Sequence, residues 1–179
     1  MRFYSHCMNE LDDVWSQMLA EAGENARSSG RHNVAEYLHL KATNDQIRER
    51  SVRWLFDSII EIAANSNRRN PTIEIEREEP HNFTFRGANM VGSLLRVRQG
   101  VRCLTLEAGW TRTPADGFMR GGALAVARIS HFGITKANAD LRLLSVGKLP
   151  EWLVVRDEIS GETLDLAALQ RHFDIFLGE

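Results

Sequence analysis

From Met90 to Thr111 apolar and polar residues alternate with period two. Val91, Ser93, Leu95 and Val97 share one face of an extended strand, while Gly92, Leu94, Arg96 and Arg98 share the other. Gln99-Gly100 supplies a two-residue turn in which glycine takes positive φ at no steric cost, and a second strand runs from Val101 to Thr111. That turn predicts a register pairing Val97 with Arg102, Leu95 with Leu104, Ser93 with Leu106 and Val91 with Ala108 on the core face, which Trp110 extends. Arg96 beside Cys103, Leu94 beside Thr105 and Gly92 opposite Glu107 then lie on the other face.

Thr113 to Gly122, TPADGFMRGG, is dense in turn signals and reads as a loop. The strand ALAVARISHF follows, with Ala125, Ala127 and Ile129 on the core face and Arg128 on the face that holds Glu107. A register pairing Glu107 with Arg128 is allowed by parity, as are slips by two residues. A lone carboxylate on a central strand is costly to desolvate, so the expectation is a structural Glu107 to Arg128 ion pair.

Helical spacing dominates before the sheet. Residues 9–27 read as a helix capped by Asn9, with Leu11, Trp15, Met18 and Ala22 in one stripe and Ser28-Ser29-Gly30 as its stop. A second helical segment begins near Asn33, and Thr43-Asn44-Asp45 predicts a bend or a restart there because these are poor helix formers. From Gln46 to Asn65 the stripe Val52, Leu55, Ile59 and Ile62 or Ala63 is widened by Ile47, Trp54 and Ile60, which predicts a helix buried between two layers and a chain that self-associates. Arg48, Arg50 and Arg53 read as its solvated face. After a stop at residues 65–71 come the strand TIEIEREE, the short strand NFTF, and, past Phe132, strands DLRLLSV and EWLVV. A helix from about Asp165 carries Leu166, Leu169, Phe173, Phe176 and Leu177.

This order predicts an α+β fold: N-terminal helices packed on a mostly antiparallel sheet of about six strands, with a C-terminal helix. A chain of 179 residues fits one domain, with residues 1–68 helical, 72–157 forming the sheet and 165–177 the last helix. No run of about 18 apolar residues is present, which excludes a helical membrane span. The first residues lack the apolar segment of a signal peptide, so a cytosolic protein is expected.

Charge changes the picture more than overall composition does. The net charge is −2, yet from Arg86 to Arg128 seven arginines face only Glu107 and Asp116. Lysine is confined to Lys41, Lys136 and Lys148. A genome rich in G and C accounts for the ratio of arginine to lysine across the chain, but not for the clustering. Guanidinium groups grip phosphate and carboxylate bidentately, and this makes an anionic ligand, a nucleic acid or an acidic protein the expected partner.

Cys7 and Cys103 are far apart, and the six histidines have no metal-ligand spacing, so neither a disulfide framework nor a zinc site is expected. Walker A, GxGxxG, GxSxG and HExxH signatures are absent and no cofactor is expected. Glu74, Glu76 and Glu107 lack the lysine that a metal-dependent nuclease places two residues beyond its glutamate. Cys103 and His131 fall on opposite faces, which argues against a thiol and base pair.

The leading candidate site is the loop after Trp110, where Arg112 and Arg120 flank a turn containing Asp116; Glu107, Arg128 and His131 are possible supporting residues. Two guanidiniums beside an aromatic suit a phosphate, a carboxylate or a nucleobase, unless Asp116 simply pairs with one of them and braces the loop. Three functions are consistent with these patterns: a non-enzymatic binding or regulatory domain, an enzyme with its site at residues 111–122, and a structural oligomeric subunit.

Overall fold

The computed structural model describes residues 6–68, 72–111, 119, 121–146, 149–155 and 161–179, with the side chains of residues 6–13, 15, 16 and 146 left aside. Its elements are helices α1 (His6–Ser28) and α2 (His32–Asn67), strands β1 (Glu74–Phe85), β2 (Ala88–Gln99), β3 (Arg102–Trp110), β4 (Ala125–His131), β5 (Ala139–Val146) and β6 (Leu149–Val154), and helix α3 (Leu166–Leu177), with a short 3₁₀ turn at Thr135–Ala137. The six strands form one antiparallel meander in chain order, so β1 and β6 are the edges. The fold is α+β, with helices, then sheet, then helix. No described helix is long and apolar enough to cross a membrane.

The chain divides into two compact units, Met1–Gln46 and Ile47–Glu179. In the first, α1 begins three residues before Asn9, which is therefore inside the helix and not its cap. It ends in a Schellman motif: Gly30 takes φ 74°, Arg31 N donates to Ala26 O at 2.8 Å and Gly30 N to Arg27 O at 3.0 Å, which satisfies carbonyls the helix leaves open. The interruption expected at Thr43-Asn44-Asp45 does not occur, and α2 is continuous over 36 residues. Thr43 Oγ1 donates to His39 O at 2.9 Å and Lys41 Nζ meets Asp45 at 2.7 Å, so two of the three side chains are satisfied within the helix, while the buried Asn44 Nδ2 has no hydrogen-bond partner among the described residues. Val14, Met18, Val34, Tyr37 and Leu40 of this unit are exposed.

In the second unit, Val52, Leu55, Phe56, Ile59 and Ala63 of α2 and Leu169, Phe173 and Phe176 of α3 join one sheet face in a single core with Leu95, Leu104, Leu106, Ile129, Leu141 and Leu143. Asn67 ties the end of α2 to the sheet, donating from Nδ2 to Ile73 O at 2.7 Å and accepting from Ile73 N at 2.9 Å. Asp165 caps α3 by accepting from Ala168 N at 2.7 Å, and Gly178 closes it at φ 78°. The Arg102 guanidinium lies against Gly178, a cation at the negative end of the helix dipole.

The β2–β3 register differs from expectation by two residues. Gln99 pairs with Arg102, Val97 with Leu104, Leu95 with Leu106, Ser93 with Ala108 and Val91 with Trp110, so the turn is Gly100-Val101. Gly100 at φ 57° holds the first central position of a type II′ turn, where glycine is favoured. A shift of two preserves every face assignment, and it replaces Val97 opposite Arg102 by Val97 opposite Leu104, which buries more apolar surface. Gly100→Val should destabilise the protein by more than 1 kcal/mol, because a β-branched residue is strained at positive φ. A urea midpoint unchanged in that variant would contradict the turn.

Beyond Val91 the β1–β2 hairpin leaves the sheet. Asn82 to Phe85 pair only with Val91 to Ala88, around an Arg86-Gly87 turn in which both residues have positive φ, as a type I′ turn requires. Phe83, Phe85 and Met90 nevertheless cluster with Val126 of β4. Strands about 4.8 Å apart would separate β1 from β4 by roughly 14 Å in a flat sheet, so this arm must fold across the face opposite the core. The bend starts where the β1–β2 register shifts between Glu78 and His81 and where Gly92 faces Gly109 across β2 and β3. A Cβ on either glycine would collide with the backbone of the neighbouring strand.

Candidate functional site

Two polar regions remain once the core is accounted for: the outer sheet face under the arm, and the base of the loop between β3 and β4. On the outer face Glu107 pairs in register with Arg128, as expected. Their side chains do not form the expected ion pair. Glu107 Oε1 is 2.9 Å from His81 Nε2, and His81 Nδ1 is 3.3 Å from Glu78 Oε1, while the imidazole stacks on Phe83 with ring centroids 5.9 Å apart. Arg128 Nε instead donates to Asp140 Oδ1 at 2.9 Å, and Arg86 Nε lies 3.6 Å from Asp140 Oδ2. Both guanidiniums also flank the buried ring of Phe85, at 5.3 Å for Arg128 and 6.0 Å for Arg86. His81 of β1, opposite Gly92, takes Glu107, and Asp140 of β5, opposite Arg128, takes Arg128.

Most of the arginine excess is balanced by carboxylates from outside the segment that carries it. Arg96 reaches Glu76 at 3.4 Å and Glu78 at 3.6 Å, and Arg98 reaches Glu76 at 3.9 Å. These exposed pairs contribute little to stability each, on the order of 0–1 kcal/mol, but they set carboxylates against arginines that the linear sequence shows as unopposed. Cys103 lies on this face, and His131, opposite Leu104, on the other.

Arg112 and Arg120, with Asp116, lie outside the described residues. Trp110, the third member of the candidate set, is half-buried at the margin of the main core. Beneath it sits Arg48, only 1% exposed, which corrects the solvated face expected for this arginine. Its Nε donates to Leu124 O at 2.7 Å and its Cζ stands 6.0 Å from the Trp110 ring centroid, so a buried guanidinium anchors the return of the loop into β4. Helical periodicity alone could have flagged it, since Arg48 falls one turn before Val52 in the stripe of Val52, Leu55 and Ile59. Arg53 remains exposed and pairs with Glu49.

At the other end of the loop Gly121 and Gly122 have φ of 81° and 75°, and Gly122 N donates to Met119 O at 2.9 Å. A methyl group on Gly121 would lie 3.6 Å from Arg142 Nη1. Arg142 projects from β5 on the outer face, in register with Val126, and among the described residues no carboxylate forms an ion pair with it. Sequence reasoning missed this residue because it lies outside the arginine-rich segment.

His131 is separated from the loop. Leu104, its register partner, and Trp110 are six residues apart on β3, roughly 20 Å at about 3.4 Å per residue. His131 is buried, its Nε2 is 3.0 Å from His172 Nδ1 of α3, and its backbone N donates to Asn138 Oδ1 at 2.8 Å. Burial, then the neighbouring His172, pushes its pKa down to about 4. His172 is lowered as well, by burial first and then by Arg171. A neutral pair in which one ring donates and the other accepts satisfies both nitrogens, as expected for a structural contact between sheet and helix.

Among the described residues no group of three or more His, Cys, Asp or Glu side chains is arranged to hold a metal ion. No family model, no curated protein and no solved structure matches the chain.

Proposed function

We propose that the chain is a non-enzymatic binding module that takes an anionic group, a phosphate or a carboxylate, at the base of the β3–β4 loop and works as a homo-oligomer. The observation that carries the binding reading is Arg142, a half-buried guanidinium on the outer sheet face with no carboxylate partner among the described residues, beside the two glycines where the loop rejoins the sheet. A planar fork with free donors suits bidentate oxyanion binding, and glycine at position 121 leaves room beside it. Arg112 and Arg120 enter the proposed set by sequence position alone, at the two ends of the loop, while Trp110 packs at the margin of the core face and does not share the outer face with Arg142. An enzyme reading would need His131 at this loop, and that histidine is occupied by His172. The width of the apolar stripe on α2, with Trp54 left exposed, supports the oligomeric part.

The test is a salt series of anisotropy titrations with a labelled oligonucleotide of mixed sequence, competed by inorganic phosphate and by citrate. Affinity should fall steeply with salt, and Arg142→Gln should weaken it about tenfold and flatten the salt slope by about one unit. Arg96→Gln, which removes a residue already paired with Glu76 and Glu78, should change it little. Binding to none of the three anions at low salt, or binding indifferent to Arg142→Gln, would overturn the assignment.

A further inference from the structure

An open cleft of about 610 Å³ lies between α2, β6 and the segment entering α3. Trp152 and Leu164, both buried, form its floor, and Trp54, Pro150 and Leu166 form its walls. The floor is held rigidly: Trp152 Nε1 donates to Ser51 O at 3.1 Å, and Leu164 N donates to Trp152 O at 2.7 Å. The walls are not covered. Trp54 is 39% exposed and Leu166 57%, although the C-terminal helix pattern would have placed Leu166 in the core.

Charge identifies the occupant. Arg50 lines the cleft one helical turn before Trp54, and Glu151 and Asp165 line it as well. Among the described residues Arg50 forms an ion pair with neither. A basic partner would satisfy only the two carboxylates, and an acidic partner only the arginine. A second copy satisfies both, because a two-fold axis brings residue i of one chain to residue j of the other and j to i.

We propose that this cleft is the centre of a two-fold homodimer interface, in which Trp54 of each copy seats in the cleft of the other and Arg50 pairs with Glu151 and Asp165 across the axis. The inference rests on the oligomeric part of the proposed function and is independent of the anion site. An aromatic anchor entering a desolvated pocket ringed by charge is the usual arrangement of an interface hot spot. A stable dimer buries about 800 Å² per partner, more than one cleft provides, and the exposed Leu149 of β6 extends the apolar surface beside it.

The full chain is measured by size-exclusion chromatography with light scattering from about 1 to 100 µM, a range chosen to span ordinary dimer affinities. Wild type should show twice the chain mass, and Trp54→Glu should raise the dissociation constant by roughly thirtyfold or more while keeping the wild-type far-ultraviolet circular dichroism, since the side chain is outside the core. R50E and E151R should each weaken association on their own, and an equimolar mixture of the two variants should restore it as a heterodimer, because each chain then offers the charge the other lacks. A wild-type monomer at the highest concentration overturns both this interface and the oligomeric reading. A dimer unaffected by Trp54→Glu but broken by Tyr37→Glu, on the exposed apolar side of the first unit, overturns the interface alone. A failure of the mixed variants to associate where wild type does also overturns it.

Discussion

Leu55→Ala is expected to cost roughly 2–5 kcal/mol of folding free energy, the range found when a fully buried leucine is truncated and its surroundings cannot collapse into the space. Leu55 is fully buried, on the face of α2 that meets the sheet and α3. Its neighbours at one-turn spacing, Val52 and Ile59, are also core residues, and the sheet beneath is hydrogen-bonded on both sides, so neither layer moves easily to fill a void. The change removes transfer free energy and leaves a cavity, and the two losses add. Urea denaturation of variant and wild type at one pH checks this, with the slope of the transition compared to confirm that the denatured states are alike. A difference below 1 kcal/mol would mean that α2 does not seal the core.

Acidification is the second large effect. His131 has its pKa lowered from 6.5 to about 4, with burial as the main cause and His172 next. Between those values the unfolded chain binds the proton and the folded chain does not, so stability rises with pH across the window. The contribution is therefore complete above about pH 6.5, is lost as pH falls toward 4, and changes no further below it. From pH 6.5 to 5, where exposed carboxylates still carry their charge, the loss should be about 2 kcal/mol, and by pH 4 about 3 kcal/mol from this residue. Denaturant midpoints at pH 7, 6 and 5 measure it. His131→Leu should flatten the dependence, since an apolar residue of similar size has nothing to protonate. A wild-type midpoint constant from pH 7 to 5 would show that the imidazole pair is readily solvated in the folded state.

The elements and their faces were legible in the sequence because both follow from local rules. Period two assigned Leu95, Leu104, Leu106 and Ile129 to the core face and Glu107 and Arg128 to the other, and an error of two residues in the hairpin turn left those assignments intact. Helical spacing identified Val52, Leu55 and Ile59 as buried, and Asp165 as the start of α3. Propensity misled at Thr43-Asn44-Asp45, where side-chain bonds to His39 and Lys41 keep α2 continuous. Arg48 was misread because its charge was weighed before its position in the stripe.

What the sequence determined by itself was the order of helices and strands, the side of the sheet each residue faces and the start of the last helix at Asp165, all of which depend on neighbours within about one turn of chain. Only the tertiary structure decided which charges meet. Asp140 neutralises Arg128 and Arg86, Glu76 and Glu78 take Arg96, and His81 takes Glu107, across separations of 12 to 54 residues that carry no periodic signal. Folding the arm over the sheet brings Arg86 to Asp140, and the bend runs where two glycines face each other across β2 and β3, a juxtaposition that exists only once the strands are paired. Electrostatic partners are set by distance through space, and that is why Arg142, unremarkable in the chain, becomes an arginine without a carboxylate partner among the described residues of the folded protein.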